Sequence, residues 1–217
     1  LPLLDHLVDA ARRAAVAGQR SKQLQRPARR LAVEGDLDAG QVADGEEFVW
    51  AVNDSFYGLQ PTIYKIDVTA TPARIVDYIR VTRNGQPAQK LDMEGITLDG
   101  EGGFWVASEG RTDRVVPHAL YRIDAEGEIT EEIGLPKELM AVERRFGFEG
   151  ITKVGDTLWM AVQREWDDDP SNMVNLVSHN LETEEWGAVH YLKAAPDTGW
   201  VGLSEIVAHG DHVYVVE

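Results

Sequence analysis

Carboxylate residues recur at the ends of predicted β-strands in this chain, and their spacing suggests a site for a cation. Between Asp92 and Gly110 the sequence predicts a hairpin in which Glu94 begins the first strand and Glu109 ends the second. The start of one strand and the end of the next lie at the same edge of an antiparallel hairpin, so the two glutamates should share that edge. Carboxylates held together repel each other unless a proton or a cation joins them. The prediction of a cation site is stronger because the same hairpin pattern recurs elsewhere in the chain.

The hairpin pattern occurs four times along the chain. GFEGITKVGDTLWMAVQ begins at Gly147 and places Glu149 55 residues after Glu94, and GLSEIVAHGDHVYVVE begins a further 55 residues on, at Gly202. The remaining copy, AGQVADGEEFVWAVND, precedes the others. Turn chemistry and hydrophobic pattern that repeat together indicate a repeat architecture. Each copy has an aromatic residue after its turn, and these aromatics are expected to pack between neighbouring repeats: Trp50, Trp105, Trp159 and Tyr214.

Further strand pairs lie between the hairpins, so each repeat contains about four antiparallel strands. Four short strands in about 55 residues are typical of a β-propeller blade. The sequence therefore predicts an all-β propeller over residues 34–217, with about three and a half blades, and closure of the ring is expected to need blades after Glu217. Residues 1–33 hold seven of the 21 basic residues and are predicted to form an N-terminal helix, to about Gly18, followed by a basic linker.

The composition excludes several classes of protein. The net charge of −16 argues against non-specific binding to nucleic acid. The chain has no cysteine, so disulfides, zinc–thiolate sites and cysteine nucleophiles are excluded. No apolar run approaches the roughly 20 residues that span a bilayer, and neither a G-x-S-x-G elbow nor a phosphate-binding glycine loop is present. The histidines lack metal-binding spacing and are expected on the surface.

In a propeller the corresponding ends of successive hairpins face the central channel, so a repeated acid becomes a ring of acids. The expected metal ligands at strand starts and strand ends are Asp54, Glu94, Glu109, Glu149, Glu205 and Glu217. Carboxylate oxygens without cysteine suit Ca²⁺ or Mg²⁺ better than zinc. The alternative is that these acids cap strand ends by binding backbone amides or arginines. Arg111 and Arg164 follow the acidic strand ends, where they would neutralise the ring or bind an anionic substrate such as a phosphate.

Three of these motifs, in their order, resemble a known family. DMEGITLDGEGGFWVASEG, GFEGIT and HYLKAAPDTGWVGLSEIVAHGDHVYVVE closely resemble the phytase-like domain of bacterial "esterase-like activity of phytase" proteins. In that family a D-x-E-G-I hairpin, an x-x-E-G-[IL] hairpin and an S-E-I hairpin follow one another. The resemblance covers roughly residues 37–217. It implies a periplasmic or extracellular β-propeller with Ca²⁺-dependent phosphoric ester hydrolase activity, and the family's motif acids fall on Glu94, Glu109, Glu149, Glu205 and Glu217.

Two classes of function remain open from the sequence. In the first, the protein is a metal-dependent hydrolase of a small anionic substrate such as a phosphoester, with Glu94 and Glu149 as catalytic residues and Arg111 or Arg164 steering the anion. In the second, it is a non-enzymatic propeller, a scaffold or binding protein whose acids are structural. The E-G hairpin also resembles gluconolactonase-type propellers, which are metal-dependent lactonases, although Ile rather than Pro follows Glu-Gly here.

Overall fold

The computed structural model describes residues 37–38, 43–44, 47–54, 60–89, 91–110 and 116–217. The N-terminal helix and basic linker expected over residues 1–33 lie outside the described residues, and so does Arg111. In the part of the chain that the structure describes, no helix has the length and apolar character required to cross a membrane.

The described residues form five antiparallel sheets, none of which closes on itself, so the expectation of an all-β protein is confirmed. The first sheet contains β1 (Leu37–Asp38), β2 (Ala43–Asp44), β3 (Phe48–Asn53), β4 (Thr62–Asp67) and β5 (Arg74–Arg80). A small hairpin, β6 (Thr82–Arg83) and β7 (Gln86–Pro87), follows it. The second sheet contains β8 (Met93–Leu98), β9 (Phe104–Ser108), β10 (Ala119–Ile123) and β11 (Ile129–Gly134).

The chain then passes through a short helix into the last two sheets. The helix is α1 (Lys137–Met140). The third large sheet contains β12 (Phe148–Val154), β13 (Thr157–Val162), β14 (Met173–Asn180) and β15 (Trp186–Leu192). The final hairpin consists of β16 (Glu205–His209) and β17 (His212–Val216). The second and third large sheets are meanders in which consecutive strands pair, whereas β1 and β2 of the first sheet both pair with β3. The predicted hairpins are present at the expected positions.

The core lies between successive sheets. One apolar cluster joins the first sheet to the second, a second cluster joins the second sheet to the third, and a third joins the third sheet to the final hairpin. Trp50 packs edge-on against Phe104 in the first cluster, with ring centres 4.9 Å apart. Trp105 is buried in the second cluster and Trp159 packs against the third. The expectation that these three aromatics pack between neighbouring repeats is confirmed.

Tight turns fix the register of the hairpins, as the turn between β8 and β9 illustrates. Asp99 Oδ1 accepts hydrogen bonds from the backbone N–H groups of Glu101, at 2.7 Å, and Gly103, at 2.9 Å. The Arg122 guanidinium binds the other oxygen of Asp99, at 3.0 Å. Burial opposes ionisation of Asp99, but these donors outweigh it and hold the pKa of Asp99 below its usual range. A side-chain-to-backbone turn of this kind fixes the register of the strands on either side.

Glycine lets the first strands of neighbouring sheets touch through their backbones. A Cβ atom placed on Gly95 of β8 would lie 2.8 Å from the carbonyl oxygen of Glu149 in β12. A Cβ atom on Gly150 of β12 would lie 2.5 Å from the backbone nitrogen of Ile206 in β16. Both distances are shorter than van der Waals contact, so neither position accommodates a side chain without moving a strand. The Glu-Gly motif of the sequence is therefore a packing motif as well as a source of carboxylates.

Substituting these glycines should destabilise the protein. We expect Gly95→Ala and Gly150→Ala each to lower the free energy of unfolding by roughly 1–3 kcal/mol, because the added methyl group pushes two strands apart. Gly134 provides a matched control, since a Cβ atom there meets nothing within 4 Å; Gly134→Ala should be neutral or stabilising by up to about 1 kcal/mol. Urea denaturation measures the free energy of unfolding of all three variants. Equal stabilities for Gly150→Ala and Gly134→Ala would contradict the close strand packing.

Candidate functional site

Three carboxylates meet where the first and second sheets adjoin. Asp54 directly follows β3, Asp92 directly precedes β8 and Glu94 lies within β8. Each offers a carboxylate oxygen, and these oxygens all lie within 4.8 Å of one another. Asp92 and Glu94 are 3% and 8% exposed, so water screens their charges only weakly. We refer to Asp54, Asp92 and Glu94 as the acid cluster.

The backbone around the acid cluster is held by the ends of the neighbouring strands. The N–H of Asp92 donates to Oγ of Ser108 at 3.0 Å, and the carbonyl of Asp92 accepts from the N–H of Glu109 at 2.7 Å. The strand register between β8 and β9 shifts by one residue between Met93 and Gly95, so Glu94 occupies a β-bulge. Bulges re-aim a side chain that regular alternation would send elsewhere. The bulge and the Asp92 hydrogen bonds together position the acid cluster.

Glu109 lies beside the acid cluster and has an altered pKa. Its carboxylate accepts a hydrogen bond from the backbone N–H of Gly147, at 2.9 Å. Burial and the negative charges of Asp92 and Asp54 raise the pKa of Glu109 to about 7, although the Gly147 amide and the charge of Arg145 act in the opposite direction. The predicted shared edge of Glu94 and Glu109 agrees with the backbone, since Met93 pairs with Ser108 and the N–H of Glu109 donates to the carbonyl of Asp92.

The other three expected ligands bind other groups. Glu149 occupies the corresponding bulge of β12, where it accepts a hydrogen bond from Nε2 of Gln163. Glu205 Oε1 accepts a hydrogen bond from the N–H of Ile206, at 2.8 Å. Glu217 Oε1 accepts from the N–H of Ala194, at 2.9 Å. Within the described residues, the group of acids close enough to share one ion is the acid cluster, and it does not include these three.

Asp92 is the member of the acid cluster that the sequence analysis did not select. It stands two residues before Glu94, and alternate residues of a strand project to the same side. That spacing within D-M-E-G was a usable signal. Its weakness was that Asp92 precedes β8 and Glu94 occupies a bulge, so strand alternation does not fix the relative direction of the two side chains.

Arg164, one of the two expected anion-binding residues, is held between aromatic rings. Its guanidinium carbon lies 4.0 Å from the centre of the Phe146 ring and 3.8 Å from the centre of the Trp200 ring. The backbone N–H of Arg164 donates to the carbonyl of Phe146, at 3.2 Å. Stacking on two aromatic faces leaves the in-plane N–H edges of a guanidinium for other partners.

His118 and His179 are buried, so the expectation that the histidines lie on the surface is wrong for these two. His118 fills a slot between backbones: its Nδ1 accepts a hydrogen bond from the N–H of Gly110, at 2.8 Å, and its Nε2 lies 2.9 Å from a carboxylate oxygen of Glu143. A Cβ atom on Gly110 or on Gly147 would lie within 2.2 Å of the ring. His118 therefore fixes the segment that carries Gly147, whose N–H binds Glu109. The burial of His118 depends partly on Glu143 and Gly147, which are more than 20 residues away, so the local sequence did not indicate it.

The fold and the site together define an all-β protein of successive antiparallel sheets that gathers carboxylates where two sheets meet. A family model described as "Phytase-like: Esterase-like activity of phytase" matches residues 35–217. The chain therefore belongs to the phytase-like family, and the resemblance found in its motifs is confirmed. No curated protein matches the chain.

The buried His118 predicts a pH dependence of stability. Burial lowers the pKa of His118, against the opposing influence of Glu143 and the Arg144 carbonyl. The unfolded chain, with a histidine pKa near 6.5, then binds more protons than the folded protein, and the free energy of unfolding falls as the pH drops below about 6.5.

A substitution at His118 should reduce this dependence. We expect His118→Gln to lower the melting temperature at pH 8, because Gly110 loses an acceptor at a cost of about 1–3 kcal/mol, and to show a smaller further decrease between pH 7 and pH 5 than the wild type. His209→Gln, at an exposed position, is the control. If the melting temperature depends on pH in the same way for the wild type and for His118→Gln, the buried neutral imidazole is not the source of the pH dependence.

Proposed function

We propose that this protein is a metal-dependent phosphoric ester hydrolase whose divalent cation, Ca²⁺ or Mg²⁺, is bound by the acid cluster. The observation that carries the proposal is the gathering of three carboxylates from two sheets to within one ion's coordination distance. Membership of the phytase-like family agrees with this chemistry. In the same proposal the sheets are blades of a β-propeller, and the protein acts in the periplasm or outside the cell.

The residues of the acid cluster fit a hard cation. Calcium binds oxygen ligands at about 2.3–2.6 Å, so two ligands of one ion lie at most about 5 Å apart. The carboxylate oxygens of Asp54, Asp92 and Glu94 lie within 4.8 Å of one another, which satisfies that limit. A bound cation would also favour the ionised form of Glu109, because an opposite charge lowers a carboxyl pKa. Glu109 is therefore a candidate fourth ligand.

The neighbouring residues supply the other parts of a hydrolase site. A divalent cation, when bound, polarises a phosphoryl oxygen and lowers the pKa of a coordinated water. Glu149 corresponds to Glu94 in the next sheet, and its hydrogen bond from Gln163 fixes the orientation of its carboxylate. Glu149 is the candidate for accepting a proton from the attacking water. Arg164, and Arg111 if its side chain reaches the same region, would bind the anionic substrate.

A second candidate function is a non-enzymatic scaffold or binding protein. It is favoured by the hydrogen bonds that Glu109, Glu205 and Glu217 accept from backbone N–H groups, since acids that cap backbone amides have a structural role. Under this alternative a cation stabilises the protein without supporting any reaction.

Activity measurements with acid variants test the hydrolase. We expect the purified protein to hydrolyse a generic phosphomonoester in the presence of Ca²⁺ and to lose the activity when a chelator is added. Asp92→Asn and Glu94→Gln should weaken Ca²⁺ binding by more than about 10-fold, because each removes a charged ligand from a site with few. Glu149→Gln should lower kcat by about 100-fold or more with Ca²⁺ binding retained, as expected for loss of a general base.

Glu126→Gln is the matched control, because it removes the same charge from an exposed turn. An unchanged rate in both Glu94→Gln and Glu149→Gln contradicts the hydrolase. A Ca²⁺-dependent increase in melting temperature that Asp92→Asn abolishes, without hydrolysis in the wild type, supports the scaffold instead.

A further inference from the structure

Two arginines and two aromatic rings form a continuous stack at the start of the third large sheet. The Arg164 guanidinium lies between the rings of Trp200 and Phe146, at 3.8 Å and 4.0 Å from their centres. The Arg145 guanidinium lies over the same Phe146, at 4.9 Å from the ring centre. Phe146 therefore contacts two positively charged groups. We refer to Arg145, Phe146, Arg164 and Trp200 as the arginine stack.

Neither guanidinium of the arginine stack forms an ion pair with a carboxylate of the described residues. Arg83, Arg122 and Arg144 each form an ion pair with an acid nearby. Among those same described residues, Arg145 and Arg164 form none, and Nε of Arg164 is buried without a hydrogen-bond partner. The two guanidiniums therefore keep their positive charge without a carboxylate at ion-pair distance, although the chain has a net charge of −16. The pair presents a local positive charge to an anion.

The backbone ties the arginine stack to Glu109. Phe146 adopts a positive φ of 69°, which is rare for a residue with a side chain. Its carbonyl accepts from Arg164, and the next residue, Gly147, donates its N–H to Glu109 at 2.9 Å. The carbonyl of Gly147 accepts from the N–H of Gln163, at 2.8 Å. The arginine stack and the carboxylate beside the acid cluster therefore share one short stretch of rigid backbone.

We propose that Arg145 and Arg164 form an anion clamp that binds the phosphate group of the substrate, with Phe146 as the ring that both guanidiniums contact and Trp200 as a positioning residue for Arg164. The choice of a phosphate group as the ligand of the clamp rests on the proposed function. Stacking holds the guanidinium planes, so their N–H edges donate to phosphate oxygens with little loss of side-chain entropy on binding. Arg145 and Trp200 are exposed, so an anion from solution reaches the clamp directly.

Binding of inorganic phosphate in the presence of a chelator tests the clamp without any contribution from a bound cation. Isothermal titration calorimetry of the wild type should detect phosphate binding. Arg145→Gln and Arg164→Gln should each weaken it by about 10-fold or more, as expected for loss of a charge-assisted hydrogen bond worth about 1.5–3 kcal/mol. Arg164→Lys should weaken it nearly as much, because lysine keeps the charge but lacks the fork and the stacking. Trp200→Leu should cause a smaller loss.

Arg144→Gln is the matched control, because it removes the same charge one residue away from Arg145 at a position already paired with Asp167. It should leave phosphate binding unchanged. The clamp is overturned if the wild type binds no phosphate, if Arg144→Gln weakens binding as much as Arg164→Gln, or if Arg145→Gln and Arg164→Gln bind as the wild type does. Arg145 is exposed, so Arg145→Gln tests the clamp even if Arg164→Gln perturbs folding.

These measurements distinguish failure of the clamp from failure of the proposed hydrolase. Phosphate binding that depends on Arg145 and Arg164, with no turnover of a phosphomonoester, supports the clamp and contradicts the hydrolase. Turnover with an unchanged KM in both arginine variants supports the hydrolase and overturns the clamp.

Discussion

Backbone contact between the first strands of neighbouring sheets is the constraint on which this structure depends. Gly95 and Gly150 allow β8 to lie against β12 and β12 against β16 at distances that admit no Cβ atom. Each glycine directly follows an acid, so the strand contact also fixes the backbone that carries Glu94 and Glu149. Glu94 and Glu149 each occupy a β-bulge, which changes the direction of the side chain from that of a regular strand. The Glu-Gly pair therefore links sheet packing to the position of Glu94, whereas Asp54 and Asp92 are placed by the ends of their own strands.

Gathering acids in a chain of net charge −16 carries an electrostatic cost, and the structure offsets it differently at each position. Glu109 receives the N–H of Gly147 and still has a pKa of about 7, so the donor does not fully compensate for burial and for the charges of Asp92 and Asp54. Glu149 receives the side-chain amide of Gln163.

The repeat was predictable from the sequence, whereas the membership of the site was predictable only in part. Turns and aromatics recur every 55 residues, and the sheets follow that spacing because turn chemistry and hydrophobic pattern are local properties. The ligand set depends on register instead. Glu205 is one place out of step with Glu94 and pairs regularly with Val216, without the bulge of the earlier copies. A shift of one residue reverses the face of a strand, so position in the repeat alone could not place Glu205 or Glu217.

Besides burial, charges of both signs act on the pKa of Glu109: Asp92 and Asp54 raise it, and Arg145 lowers it. An acid cluster alone repels a phosphate dianion, and an arginine pair alone binds one without changing its reactivity. Here Arg145 lies two residues before Gly147, whose N–H binds Glu109, and the N–H of Arg164 binds the carbonyl of Phe146 in the same segment, while the charges of Asp92 and Asp54 also act on Glu109. A ligand bound by the arginines therefore comes close to the carboxylates only if a cation screens their charge. Anion and cation binding should consequently favour each other, because each reduces the repulsion that the other experiences.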